Sequence, residues 1–259
     1  MMIFAVAAIT LLVLMSGLFL YALAIKDNSI VDVAYGLSAT LTCWVAFAAG
    51  ETLHARPLLL LSLVTLWGVR LALHIGLRKK GEAGEDFRYR QWRQEWGKTF
   101  VWRSFLQIFM LQGAVIYVIV LPVLLTIYNP GSELGLLDFA GLLIWLFGFT
   151  FEAVGDWQLL RFKADPANRG RIMRSGLWRY SRHPNYFGEA VLWWGPFLIA
   201  LGAPLGGLAL LSPLLIDFLL LKVSGIPMLE AKYAGNPEFL RYREQTNALI
   251  PWFPRRTAG

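Results

Sequence analysis

Seven apolar runs, each close to the length of a bilayer-crossing helix, limit what this chain can fold into. A helix rising 1.5 Å per residue needs about 20 apolar residues to cross the hydrocarbon core. Runs of that kind lie at about 3–25, 30–50, 57–77, 105–128, 136–162, 186–201 and 205–223. The sixth is short. Inside lipid every backbone N–H and C=O needs an internal partner, so a spanning run is a helix. No soluble domain fits between the runs, and no internal repeat is visible. The fold expected is all-α: an integral membrane bundle of seven transmembrane helices, forming one domain over residues 1–259.

Composition agrees. Of 259 residues, 57% are hydrophobic and 16% charged, and mean hydropathy is +0.53. A soluble domain carries roughly 25% charged residues. The net charge of +7 falls between the apolar runs, which is a membrane-topology pattern, so no nucleic-acid partner is expected. The single cysteine, Cys43, excludes an internal disulfide and a thiolate cluster. His54, His74 and His183 lack ligand spacing, and no metal is expected. The apolar N-terminal run has neither a basic leader nor a clear small-residue cleavage site, so it is expected to be retained as the first span.

Charge also sets the expected orientation. Residues 78–103 hold eight Lys/Arg and residues 163–182 hold six. Arg241, Arg243, Arg255 and Arg256 follow in the tail, whereas residues 128–135 and 202–206 have none. With seven spans the basic segments share one side. Positive-inside then predicts a cytoplasmic C-terminus and an outside N-terminus. Most charges of residues 78–103 are read as contacts to the anionic lipid surface.

The chemistry-bearing stretch is Gly176-Leu-Trp-Arg-Tyr-Ser-Arg-His-Pro-Asn-Tyr-Phe-Gly-Glu189, a basic, aromatic segment that enters an apolar run. Pro184 and one arginine suit a plain helix start at the headgroups. The set Arg179, Arg182, His183, Asn185 and Glu189 exceeds what a helix start needs. Ionisable groups at that depth mark a cavity or a ligand. Further polar residues lie inside spans: Asp32 and Tyr35, Arg70 and His74, Glu152 and Asp156, Asp217 and Lys222. Arg70/His74 and Glu152/Asp156 are each four apart and share a helix face. Two readings stand for this set: internal ion pairs, such as Arg70 with Asp32, or a polar cavity open to the cytoplasm. Arg161 and Lys222 also suit snorkelling. The tail, with Trp252 and Phe253, reads as an interfacial segment or as a lid over the cavity. Arg, His and Asn at such a mouth suit a phosphorylated soluble cofactor, and the apolar interior suits a lipophilic substrate. No dinucleotide fingerprint or Walker motif is present.

The 176–189 stretch resembles the motif of the steroid 5α-reductase family and its bacterial relatives. Tyr242 with Asn247-Ala-Leu-Ile-Pro251 resembles that family's C-terminal signature, and Glu152, Asp156, Leu159 and Lys163 resemble its fifth span. The likeness is strongest from about residue 148 onward. The resemblance implies a multi-pass enzyme of a bacterial-type inner membrane, pictured as a monomer, that takes NADPH from the cytoplasm. The reaction it implies is reduction of the conjugated C=C of a 3-oxo-Δ4 steroid or similar lipophilic enone. Cofactor positions, mainly within residues 148–254, would be Glu152, Asp156, Lys163, Arg171, Tyr180, Arg182, His183, Asn185, Glu189, Lys222 and Tyr233. Catalytic positions would be Asp32, Tyr35, Trp67 and Arg70. Here Trp67 stands where animal members place a tyrosine beside the acid, Glu152 replaces an asparagine, and the tail lacks a histidine cluster.

The same Arg-His-Pro-x-Tyr pattern is similar to that of S-adenosylmethionine-dependent membrane methyltransferases acting on isoprenylcysteine or phospholipid. Those usually carry paired glutamates where this chain has the single Glu230. A transporter would call for repeated halves, which the sequence does not show.

Overall fold

The computed structural model describes residues 1–50, 53–80 and 84–255. Arg256, counted among the tail's basic residues, lies outside them. All regular structure among the described residues is helical. Six helices are long and apolar enough to cross a membrane, which makes this a multi-pass membrane protein. The chain divides into two compact units: residues 1–138 with 199–212, and residues 139–198 with 213–259.

The first unit begins with α1 (Met2–Ile25) and α2 (Ile30–Gly50). Lys26 adopts a left-handed conformation and the Asp27 N–H reaches back to the Ala22 carbonyl, which closes the C-terminus of α1. The Asp27 carboxylate accepts from the Ser29 N–H and hydroxyl, at 2.9 and 2.5 Å, which turns the chain into α2. Lys79, in the last turn of α3 (Ala55–Lys80), pairs with Asp27 at 2.6 Å. Where α2 crosses α3, Gly36 lies against Gly68. A Cβ on Gly36 would come within 2.8 Å of the Gly68 Cα, so the two backbones touch. That contact leaves Trp67 fully buried.

The expected fourth span, 105–128, is displaced. A helical stretch starts at α4 (Phe87–Trp96) and continues through α5 (Phe100–Ser104), a π-helical segment (Phe105–Met110) and α6 (Leu111–Ile119). The apolar helix therefore covers Phe87–Ile119. It breaks at Val120, and α7 (Leu121–Tyr128) follows as a short buried helix. The cause is Pro122, which cannot donate to the preceding turn and fits only at the start of a new one. Residues 87–103, read above as a basic loop, are thus mostly helix.

At the turn that follows α7, the buried Arg56 holds Asp138 through Nε and Nη2, at 2.9 and 3.0 Å. It also donates to the carbonyls of Pro130, Ser132 (2.7 Å) and Glu133 (3.0 Å). Every N–H of that guanidinium has an acceptor nearby, which is what lets a buried charge persist.

The second unit is built on most of α8 (Leu136–Ala164) and α9 (Pro184–Ala200). At 17 residues, with Pro196 inside it, α9 is shorter than the other apolar helices. Gly141, Gly148 and Gly155 on α8 repeat every seven residues, as do Gly188 and Gly195 on α9. Each faces the other helix's backbone. A Cβ on Gly148 would lie 2.5 Å from Leu192 N, and one on Gly195 would lie 2.5 Å from the Gly141 carbonyl. Small residues at such an interface let helices pack backbone to backbone in lipid. The unit continues through α10 (Leu211–Phe218), a π turn (Leu219–Val223), α11 (Ile226–Lys232) and α12 (Pro237–Gln245).

Candidate functional site

The glycine seam of the second unit places its polar groups. Glu152 and Asp156, both buried, sit on the seam face of α8. Gly188 lies against the Glu152 backbone, and Gly155 lies against Asn185. Asn185, in the first turn of α9, donates from Nδ2 to Asp156 Oδ1 at 3.0 Å. The Asn185 Oδ1 is buried and has no hydrogen-bond partner among the described residues. With its own amide fixed on Asp156, that oxygen keeps its capacity to accept a hydrogen bond.

The segment before α9 is stapled to α8. The Leu177 N–H donates to Gln158 at 2.9 Å, and the Trp178 indole donates to the Gly155 carbonyl at 3.1 Å. Gly176 has φ +62° and lies against the Gln158 amide, so only glycine fits there. The other side of the segment is knitted to the tail. The Arg182 N–H donates to the Asn247 carbonyl and the Trp252 N–H to the Tyr180 carbonyl, both at 2.9 Å. The Ser181 hydroxyl donates to the Leu249 carbonyl at 2.7 Å. Tyr242, buried, donates its hydroxyl to the Trp178 and Ser181 carbonyls. Burial pushes that phenol above its ordinary range.

Arg182 and His183 meet Glu230. Arg182 binds it through Nε at 2.8 Å and Nη2 at 2.7 Å, and His183 Nε2 lies 3.1 Å away. Arg182 Nη1 donates to the Arg243 and Thr246 carbonyls. With most of its donors held inside the protein, Arg182 anchors the tail. The His183 ring stacks on Tyr186 at 5.5 Å. Glu189 is half-buried and Lys163 is exposed. Tyr180 meets Phe253 and lies beneath Arg179, and Tyr233 packs on Phe239. The side chains of Arg171 and Lys222 are exposed and make no ion pair among the described residues. The structure therefore joins Asp156 to Asn185, and Arg182 and His183 to Glu230. A half-buried Asp217 in α10 accepts from the Trp194 indole at 3.2 Å.

In the first unit Asp32 has a different partner from the one sequence spacing suggests. Arg88 donates to Asp32 Oδ2 and Tyr89 to Oδ1, each at 2.7 Å. Residues 84–89 fold back to the first turn of α2 because Asp86 caps α4 by accepting from the Arg88 N–H. The tyrosine beside the acid is thus Tyr89, and Trp67 instead meets Tyr35 edge-on at 5.8 Å. Sequence reading passed over Arg88 and Tyr89 because they lie 56 and 57 residues from Asp32 within a basic stretch. The one available signal was an Asp cap followed by Arg and Tyr.

A fold of long apolar helices defines a multi-pass membrane protein, and its polar groups cluster at Asp156–Asn185 and at Asp32–Arg88–Tyr89. The chain belongs to the DUF1295 family, described as proteins of unknown function, with the match running over residues 18–246. It is similar to an uncharacterized protein, C594.04c, of Schizosaccharomyces pombe, at 28% identity over 171 residues. That match covers 57% of this chain and 49% of the yeast protein, about half of the relative's length. No solved structure matches.

Proposed function

We propose that this chain is a membrane-embedded reductase that uses NADPH to reduce the conjugated C=C of a lipophilic enone, a 3-oxo-Δ4 steroid or a compound of that kind. The observation that carries the reading is the Asp156–Asn185 pair with its open, buried acceptor at Asn185 Oδ1. A nicotinamide carboxamide offers the N–H donor which that acceptor lacks. The residues present fit the cofactor at this point. Asn185 would hold the carboxamide, with Asp156 fixing the Asn185 amide and Glu152 and Glu189 beside it. Lys163, Arg171, Arg179 and Lys222 supply cations for phosphates, while Tyr180 and Tyr233 supply aromatic faces. Bound NADPH would supply the hydride.

The chain's own residues then do the positioning. The glycine seam fixes the distance between Asp156 and Asn185. Arg182, His183 and Glu230 hold the tail on the 176–182 segment and exclude water from it. In the first unit, Arg88 keeps N–H groups beyond those given to Asp86 and Asp32 and is the donor assigned to polarise a carbonyl oxygen, with both carboxylates orienting it; Tyr35, Trp67 and Arg70 complete that set. Both Asp32 oxygens accept hydrogen bonds, one of them from the only proton of the Tyr89 hydroxyl, so the donor role passes to Arg88. The topology proposed with this function is seven spans, α9 included, with the C-terminus in the cytoplasm, in a bacterial inner membrane and as a monomer.

Thermal stability of the purified protein in detergent tests the reading, because a ligand that binds only the native state raises it. NADPH should stabilise the wild type, and Asn185→Ala should remove most of that gain. Stabilisation by S-adenosylmethionine in place of NADPH would overturn the reductase and give the site to methyl transfer.

A further inference from the structure

Residues 87–103 carry five basic side chains, and their surroundings differ. Arg88 is paired with Asp32 and Asp86, and Arg93 with Glu85. Arg90 and Lys98 are exposed to solvent. Arg103 is the exception. It is half-buried in α5, its Nε is fully shielded, and it has no hydrogen bond or ion pair among the described residues. Its guanidinium lies over two indoles, Trp96 at 6.0 Å and Trp102 at 5.8 Å. Trp96 in turn stacks flat on Trp92, with centroids 5.5 Å apart.

An arginine cannot shed its charge by titrating. A shielded Nε with no acceptor beside it therefore lacks its expected partner. The indoles contribute through cation–π attraction, but they leave the N–H donors open. The missing partner is an anion with oxygens set for a forked contact, which describes a phosphate. The location names its source. The apolar helix runs Phe87–Ile119, and Trp102 and Val101, beside Arg103, are both exposed. Arg103 is the last charged residue of that helix, and residues 104–119 beyond it carry no charge. Exposed tryptophan with arginine and lysine where a charged stretch gives way to an apolar one is the chemistry of the headgroup layer.

We propose that Arg103, framed by Trp96 and Trp102 and assisted by Lys98, is a binding site for the phosphate of an anionic phospholipid. The site belongs to the first unit and does not depend on the reductase reading.

The test is stabilisation of the detergent-purified protein by dioleoylphosphatidylglycerol against dioleoylphosphatidylcholine, supplied in mixed micelles. Wild type should prefer the anionic lipid. Arg103→Gln should lower its apparent affinity by roughly 10- to 100-fold, the worth of hydrogen bonds to a charged group. Arg103→Lys, which keeps the charge and loses the fork, should fall between. Arg90→Gln, removing an exposed charge of the same segment, should match wild type. An undiminished preference in Arg103→Gln would overturn the site. Equal losses in Arg90→Gln and Arg103→Gln would also overturn it, since diffuse surface charge would then explain the preference. If Arg103→Gln instead lost stabilisation by inorganic phosphate or NADPH, with lipid preference intact, a soluble phosphate would be the ligand and the lipid assignment would fail.

Discussion

Replacing Gly188 with alanine tests whether the α8–α9 seam sets the geometry of the candidate site. The new Cβ would lie 2.6 Å from the Gly148 carbonyl oxygen and 2.8 Å from the Glu152 Cα, and would also press on the Glu152 nitrogen. All three obstacles are backbone, so no side chain can swing away. To regain a contact of 3.4 Å with the nearest of them, the Glu152 nitrogen, the helices must part locally by about 1.1 Å, a strain of the kind that costs roughly 1–3 kcal/mol. For a chain of this size that lowers the melting temperature by roughly 2–12 °C. The same movement would stretch the 3.0 Å Asp156–Asn185 bond to about 4.1 Å, beyond a hydrogen bond. Thermal unfolding in detergent with and without NADPH should show both effects: a lower midpoint and a smaller gain from the cofactor. Gly17→Ala is the control, since a Cβ there meets nothing within 4 Å. The reasoning is refuted if Gly188→Ala melts with wild type while Gly17→Ala does not differ from either.

Other parts of the molecule make separate predictions. Arg56→Ala leaves Asp138 buried without its counter-charge and should cost about 3–5 kcal/mol, read as a lower denaturant midpoint. Arg182→Ala frees Glu230 and the carbonyls of Arg243 and Thr246; limited proteolysis should then cut residues 243–252 faster than in wild type. The raised pKa of Tyr242 sets a pH dependence. The folded state holds that proton more tightly than the unfolded one, so its contribution is fully present below about pH 10 and is lost as pH rises beyond it. Tyr242→Phe should flatten the alkaline limb of a stability-against-pH curve. Asp27 works in the opposite sense. Burial opposes its ionisation, but Lys79 and Ser29 hold the carboxyl below its ordinary value, so its contribution is present above about pH 4 and is lost in acid. Asp27→Asn should weaken the acid dependence, measured by the same titration.

Much of the fold was legible because lipid simplifies the code. Apolar runs of the right length gave α1, α2, α3 and α8 to within a few residues. The fourth span was misplaced because hydropathy counts side chains and ignores Pro122, whose missing N–H ends α6 and starts α7. It also overlooked that Phe87–Trp96, too polar to look like part of a span, continues into the helix that follows. In the candidate site, the i and i+4 spacing of Glu152 and Asp156 placed both on one face. Their meeting with Asn185 rests on glycines whose heptad spacing becomes meaningful only once α8 and α9 are known to touch. Partner choice was the least legible. Arg70 looked like the natural mate for Asp32, whereas Arg88 and Tyr89 arrive through a turn set by Asp86. Arg182 looked like a phosphate ligand, whereas its donors close a contact with residues roughly 48 to 64 positions further on.

That last separation has a consequence for synthesis. The carbonyls of Trp178 and Ser181 take their partner from Tyr242, and the Ser181 hydroxyl and Arg182 N–H find theirs between residues 247 and 249. At 5–20 residues per second, those partners are made roughly 3–13 s after the segment they complete. During that interval α9 can enter the bilayer while the segment ahead of it remains open to water. The contact between residues 176–182 and the tail is thus the part of the second unit that is finished late, after the helices it joins have been made.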